Sequence, residues 1–401
     1  MVLPLLWVLL AVLAAVLGWT TEAAAFYWVS SLMLALWLLA VGAGRVARRS
    51  LSAHRSLSVD HIPYDAEASV EVTVANDSPL PVLWLMAKES LPAGLPITGL
   101  RGRVGPLAGR ASFGFRYTLH GVRRGYYEIG PTVLRMGDLF GLSQKELSAA
   151  GANSLTVFPK IVPITHARLP SRRPAGEVRA RRRVLEDPTQ IVGIRPYQHG
   201  DGLRRVHWRA TAHTGRLQSK LFEMSSQIEN LVVLNLNRSD YPGNPNDAAE
   251  AAELAITAAA SVTHHMLEQR QRIGLLALAR DPASPATGGM IRVSASRRRE
   301  QLASILSVLG RVELGVAEDL TSVIAREKEQ WPWGALVLVI TPSFTSETLT
   351  SLLSLRSAGF EIHAALPGRG AEAIVAPEAL QAVGIPVTSI HSEADIGALG
   401  I

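Results

Sequence analysis

The chain of 401 residues contains no cysteine. Disulfides, thiolate nucleophiles and cysteine-ligated zinc or iron–sulfur sites are therefore excluded. That absence permits a reducing compartment without requiring one. Charge is also sparse: 18% of residues are charged and 48% hydrophobic, against roughly 25% charged in ordinary soluble domains. Part of the chain is thus expected to sit outside water. Lysine is rare, with Lys88, Lys145, Lys160, Lys220 and Lys328 the only five among 40 basic residues. Beside many alanines, this arginine bias reads as a GC-rich genome rather than a function. There is no Gly-Lys-Ser/Thr phosphate loop, so the chain is not itself a P-loop ATPase, and no Gly-x-Ser-x-Gly elbow. What remains is long enough for two or three domains, each with its own core.

Val2 to Trp19 and Ala23 to Gly44 are both free of charge, with only Thr20, Thr21 and Glu22 between them. Each run approaches the roughly 20 residues of a bilayer-spanning helix. A cleaved signal peptide fits poorly, because no basic stretch precedes the first run and a second follows at once. Trp7, Trp19, Tyr27, Trp28 and Trp37 include several near run ends, where aromatic belts are expected. Arg45, Arg48 and Arg49 follow the second run, while the connecting turn carries one acid and no base. The positive-inside rule then places both ends, and everything after about residue 46, in the cytoplasm. With no charge inside either run, the expected role is an anchor at 1–46 in the bacterial plasma membrane, not an ion path.

Residues 57–162 alternate with period two, as in Ala68-Ser69-Val70-Glu71-Val72-Thr73-Val74, and carry turn signals such as Asn76-Asp77-Ser78-Pro79. A small antiparallel β-sandwich is predicted over 47–165. No cluster of titratable side chains stands out there. Arg123-Arg124-Gly125-Tyr126-Tyr127 and Gly137-Asp138-Leu139-Phe140-Gly141 look compact and turn-like. The pattern Asn-x-Ser at Asn76 and Asn237 matches glycosylation acceptors, inert in a cytosolic setting.

Between Ala167 and Arg216 stand twelve arginines against Glu177, Glu186, Asp187 and Asp201, a surplus of eight that exceeds the +6 of the whole chain. An arginine-rich linker is expected at 166–190. Such a band suits anionic lipid, nucleic-acid phosphate, an acidic protein face, or a solvated linker with no partner. Nucleic acid is disfavoured because no recognition helix or stacking motif accompanies the charge.

The segment Gly193-Ile194-Arg195-Pro196-Tyr197 leads through Gly200-Asp201, Arg204-Arg205 and Trp208-Arg209 to Lys220. It resembles the signature of the domain-of-unknown-function 58 family: Gly-x-Arg-x-Tyr, Gly-Asp, an arginine pair, then tryptophan before Ala-Arg. The layout of paired membrane helices, β-rich segment, signature and α/β domain resembles that family across essentially the whole chain. Two departures stand out. His213 lies where the family has arginine, which removes a fixed charge and any contact it makes, and Asp138-Leu139-Phe140-Gly141 replaces an Asp-Pro-Phe-Gly turn. From the residues alone, Asp201 beside Arg204 and Arg205 suits either a folded ionic network or a partner-binding surface. Gly193, Arg195, Tyr197, Gly200, Asp201, Arg204, Arg205, Trp208, Arg209 and Lys220 are the candidate residues.

Beyond the signature, within 191–401, Leu231 to Leu236 reads as a buried strand and Ala248 to Gln271 as a long helix. Strand-like runs follow at Ile273 to Ala279, Ile291 to Ala295, Ala335 to Thr341, Glu361 to Leu366 and Ile385 to Ile390. Alternating strands and helices predict a mostly parallel, doubly wound sheet. This resembles a von Willebrand factor type A domain, whose Asp-x-Ser-x-Ser, loop threonine and later aspartate hold a divalent cation. The corresponding positions are Asn235, Asn237 and Ser239, with Thr341-Pro342-Ser343 where the later aspartate falls. Two carboxylates are missing and hard cations want anionic oxygen, so no tight metal site is expected, although Asp240 stands close enough to substitute. His264, His265 and Glu268 share a helix, but adjacent histidines diverge and cannot make one facial site.

The expected protein is a membrane-anchored, cytoplasm-facing adaptor without cofactor or catalytic residues. The resemblance implies a MoxR-type AAA+ ATPase as partner, alongside membrane lipid. Two rivals remain: a metal-dependent ligand-binding module, and a hydrolase using Asp201 with His207 or His213.

Overall fold

The computed structural model describes residues 2–137, 144–165, 186–198, 201–202, 205–224, 229–284, 289–368 and 377–399. The turn at 138–141, Gly200, Arg204 and the predicted linker up to residue 185 lie outside the described residues. Residues 186–190 of that expected linker are already strand.

Two apolar helices open the chain, α1 (Val2–Thr21) and α2 (Ala24–Ser50). At 1.5 Å per residue α2 is about 40 Å long, and it is long and apolar enough to cross a membrane. Trp7 Nε1 donates to the Met33 carbonyl at 3.0 Å and Ser30 Oγ to the Ala11 carbonyl at 2.8 Å, so the two helices touch along their length. No residue of α2 is buried, and Trp28, Leu32, Leu38 and Leu39 stand exposed. Arg48 and Arg49 occupy its last turn, where cations complement the helix dipole.

Helix α2 runs directly into β1 (Leu51–Leu57). A sheet-rich region follows. One sheet has the order β1, β3 (Glu67–Asn76), β7 (Ser112–His120), β5 (Ile97–Gly99). The second runs β10 (Gln144–Ala150), β9 (Thr132–Gly137), β4 (Val82–Glu89), β6 (Gly102–Leu107). A third, smaller sheet joins β2 (His61–Ile62), β11 (Asn153–Val157) and β8 (Gly125–Ile129). The period-two run reads out as expected: Val70, Val72 and Val74 of β3 point inward to meet Leu85, Leu134 and Met136 of the second sheet in one apolar core.

The α/β region is a six-stranded sheet of order β16-β15-β14-β17-β18-β19. These are β14 (Glu229–Asn235), β15 (Arg272–Leu278), β16 (Met290–Ser296), β17 (Leu336–Ile340), β18 (Glu361–Pro367) and β19 (Val387–Ile390). All neighbours pair in parallel except β16, which pairs antiparallel to β15 at the edge. Helices α4 (Pro245–Glu268) and α5 (Glu300–Arg311) cover one face; α6 (Leu320–Glu327), α7 (Ser346–Ser357) and α8 (Pro377–Ala382) cover the other. Helix α4 begins three residues before its predicted start because Pro245 takes the first helical position and the Asn244 side chain accepts from the Asn246 and Asp247 N–H groups.

The two regions lock together. Arg124 forks onto Glu253 of α4 at 2.7 and 2.8 Å and donates to the Leu309 and Val312 carbonyls at the end of α5. Gly310 lets α5 lie against β11: a Cβ there would stand 2.8 Å from Thr156 Cγ2 and 2.9 Å from the Val157 carbonyl oxygen. Phe158 and its successors Ile161, Val162 and Ile164 pack on the α/β core, and Lys160 pairs with Glu393.

Candidate functional site

The signature residues build an arm. Strand β12 (Glu186–Pro196) pairs antiparallel with β13 (Gln218–Met224), with Ile194 opposite Lys220 and Arg195 opposite Ser219. Between them α3 (Trp208–Thr214) is capped by His207, whose Nδ1 accepts from the Ala210 N–H, and closed by Gly215 in the left-handed conformation at φ 66°. The Thr211 hydroxyl accepts from the Gln218 N–H, tying the helix to β13.

Asp201 is the internal brace. One carboxylate oxygen accepts from Arg195 at 2.7 Å and the other from the Gln198 N–H at 3.0 Å, while the Tyr197 hydroxyl donates to the Asp201 carbonyl. The Arg195 guanidinium and the Gln198 N–H hold the Asp201 carboxyl below the usual carboxylate range. Both of its oxygens are thus engaged, and His207 is committed to its cap, so neither offers the other a nucleophile–base contact.

Of the other candidates, Gly193 lies in β12 and Lys220, half-buried, in β13. Arg205 donates its backbone N–H to the Gly202 carbonyl in the turn before α3. Trp208 is 65% exposed, and beside it Arg209, His213 and Arg216 are exposed, with Ile194 and Leu217 about half so. The arm therefore spends Arg195, Tyr197 and Asp201 on itself and presents tryptophan and arginine outward.

The second candidate lies at the carboxyl ends of β14 and β17, where the strand order reverses and doubly wound folds place their ligands. Asn235 is buried there. Its Oδ1 accepts from the Asn237 N–H at 3.0 Å, which fixes the amide orientation, so Nδ2 donates to Asp240 Oδ2 at 2.7 Å and Thr341 Oγ1 at 3.1 Å. Ser239 Oγ donates to the other Asp240 oxygen, and Ser343 Oγ to the Asp240 carbonyl. Asp240 does reach the cluster. A divalent cation nevertheless does not fit these residues, because an N–H donor occupies the direction from which an anionic ligand would bind, and one carboxylate remains. Tyr241 closes the site beneath, its hydroxyl donating to the Asn235 carbonyl; burial, and then the Asp240 charge, push its titration far up.

On α4 the histidines diverge as expected, His264 toward Glu268 and His265 toward Gln269. One cluster was not legible in the sequence. Arg55 of β1 forks onto Glu89 of β4 at 3.0 and 3.2 Å, and donates also to Thr132, Asn153 and the Ile129 and Gly151 carbonyls. Both side chains are essentially fully buried, and Tyr117 donates to Glu89. Residues 34 to 98 positions apart in sequence converge there, and nothing local signals it.

These features define a class: a β-rich body locked to a doubly wound α/β body, preceded by apolar helices and bearing a basic, aromatic arm. Residues 193–356 match the family model described as "Protein of unknown function DUF58". A relative from Bacillus subtilis strain 168, "Uncharacterized protein YeaD", is 24% identical over 241 residues, which cover 58% of this chain and 57% of the relative. The chain thus matches little more than half the length of that relative. Among solved structures, the CARDB domain of PF1109 from Pyrococcus furiosus covers 27% of this chain and 94% of its own at 14% identity and TM-score 0.22. The pilus adhesin SpaC from Lactobacillus rhamnosus GG covers 44% of this chain and 29% of its own at 11% identity and TM-score 0.32. Both scores are too low to bear on fold or function.

Proposed function

We propose that this protein is a membrane-anchored, cytoplasm-facing adaptor that docks an acidic partner on the arm formed by β12, α3 and β13. The observation that carries the reading is the exposure of Trp208, Arg209 and Arg216 on one arm, together with half-exposed Ile194 and Leu217. Tryptophan and arginine dominate binding hot spots, because a large rigid ring and a planar guanidinium bury much area with little lost freedom. The Arg195–Asp201 pair holds the arm in shape and leaves those side chains to the partner.

In this reading α1 and α2 form a transmembrane hairpin, oriented by Arg45, Arg48 and Arg49 on the cytoplasmic side. The α/β region is of von Willebrand factor type A kind, supported by its strand order and single antiparallel edge strand. Family resemblance names the partner as a MoxR-type AAA+ ATPase, which supplies the energy while this chain presents the docking surface, in protein maturation or complex assembly.

The test is affinity purification of the detergent-solubilised full chain with a non-hydrolysable ATP analogue, followed by mass spectrometry. An AAA+ ATPase is expected to co-elute, to fall at least tenfold with Trp208→Ala (about 1.4 kcal/mol or more) and to be lost with Asp201→Ala. Undiminished recovery with Trp208→Ala removes the arm from the interface; recovery of no ATPase removes the partner.

A further inference from the structure

Strand β4 carries a bulge. Val82 pairs with Leu107 and Leu85 with Gly105, so β4 holds one residue more than β6 between those pairs. The extra residue breaks the alternation, and Leu83 and Trp84 are both exposed in succession. Leu80 and Leu83 stand 51% and 49% exposed, with Val104 of β6 nearby on the same sheet. A row of solvent-facing apolar side chains, contiguous with a groove, calls for a cover.

Its position relative to α2 says what the cover is. A groove with about 70 Å³ of free volume runs between α2 and this patch, with Ala40, Gly44 and Ala47 on one wall, Pro81 and Leu83 on the other, and Lys145 at its margin. From Ala24 to Gly44 the helix rises about 30 Å, the thickness of a bilayer's hydrocarbon core. With α2 read as membrane-spanning, the groove lies at the depth where acyl chains give way to headgroups. Arg45, Arg48 and Arg49 share one helix face at that level, and among the described residues no carboxylate pairs with them. Glu146, the acid next to Lys145, is taken by Arg135.

We propose that the β-rich body rests on the bilayer: Leu80, Leu83 and Trp84 insert into the interfacial layer of the cytoplasmic leaflet, and Arg45, Arg48, Arg49 and Lys145 hold anionic lipid phosphates above them. Amphipathic surfaces bind membranes in this way, apolar area entering the acyl boundary and basic side chains reaching the headgroups. The insertion rests on the reading of α2 as membrane-spanning. It adds to the joint at Ser50–Leu51, where the Asp77 N–H donates to the Ser50 carbonyl and Ala47 packs on the β-rich core.

The absence of cysteine makes the test direct. Single cysteines replace Leu38, Leu80, Leu83 or Val316 in the full chain, each side chain being exposed and so tolerant of change. A nitroxide is attached, and collision rates with oxygen and a water-soluble nickel chelate are compared in phosphatidylcholine/phosphatidylglycerol vesicles. The oxygen-to-nickel ratio is expected to be highest at Leu38, several-fold above Val316 at Leu80 and Leu83, and lower at those two sites in pure phosphatidylcholine. A deep Leu38 with Leu83 as nickel-accessible as Val316 overturns the insertion and leaves the spanning helix standing. A nickel-accessible Leu38 overturns the spanning reading, and the insertion with it. Shielding of Leu83 from both colliders means that protein, a second copy or a partner, covers the patch, and likewise overturns the proposal.

Discussion

Asn235 carries the chemistry of the strand-switch site in one amide. Its two N–H bonds satisfy Asp240 and Thr341, so the carboxylate of Asp240 is balanced by a neutral donor and not by a cation. Asn235→Asp would set two carboxylates at hydrogen-bond distance with no proton between them, and like charges there repel. We expect a loss of about 1–3 kcal/mol from the unpaired buried group, and a melting temperature that rises again with millimolar magnesium in the variant only. Melting curves with and without the ion check this; an equal magnesium response in the parent would show that the amide does not exclude the cation. The Arg55–Glu89 pair illustrates the opposite use of charge. Its members are desolvated, and the five N–H groups of Arg55, shared among six acceptor contacts, compensate.

At the scale of the element, the arm depends on a turn held by Asp201. The Arg195 bond and the Gln198 N–H lower its pKa in the folded arm, while an unfolded aspartate titrates near 3.9. The stabilisation is therefore present above the unfolded value and disappears as the pH falls through the lowered one. Carbon-detected NMR of the Asp201 carboxyl should give a midpoint below about 3.9, and Arg195→Met should move it upward. A midpoint unchanged by that substitution would mean that the ion pair does not hold the turn. The bulge in β4 is a second element-scale device: one extra residue turns Trp84 outward beside Leu83 where strict alternation would face them oppositely.

At the scale of the molecule, the β-rich and α/β bodies meet through Gly310, Arg124 and Lys160. Gly310→Ala raises helix propensity by about 1 kcal/mol. It also drives a methyl group into the Val157 carbonyl, a backbone atom that cannot rotate away. The clash is expected to win, with a net loss of about 1–2 kcal/mol and faster amide exchange in both β11 and α5. Unchanged exchange across that contact would show the two bodies to be independent. A rigid joint matters for the proposed adaptor, because force on the arm is then transmitted to the anchored body.

The apolar runs, the valine alternation of β3 and the strand–helix alternation after residue 229 are local patterns, and the amino-acid sequence by itself determined the helices, the sheet-rich region and the doubly wound sheet. Each depends on spacings of two to four residues, which a single stretch displays. The signature was also legible, as a motif, from Gly193 to Lys220. What that motif does with each side chain was decided by tertiary structure: Asp201 turns inward to Arg195 while Trp208 faces water. The buried Arg55–Glu89 pair, the Arg124 bridge and the apolar patch beside α2 were equally invisible, and the cluster around Asn235, whose residues the sequence did name, showed the direction of its amide only when folded. Their partners lie tens to hundreds of residues apart, and only the closed sheets and the packing of α5 on β11 bring them within bonding distance.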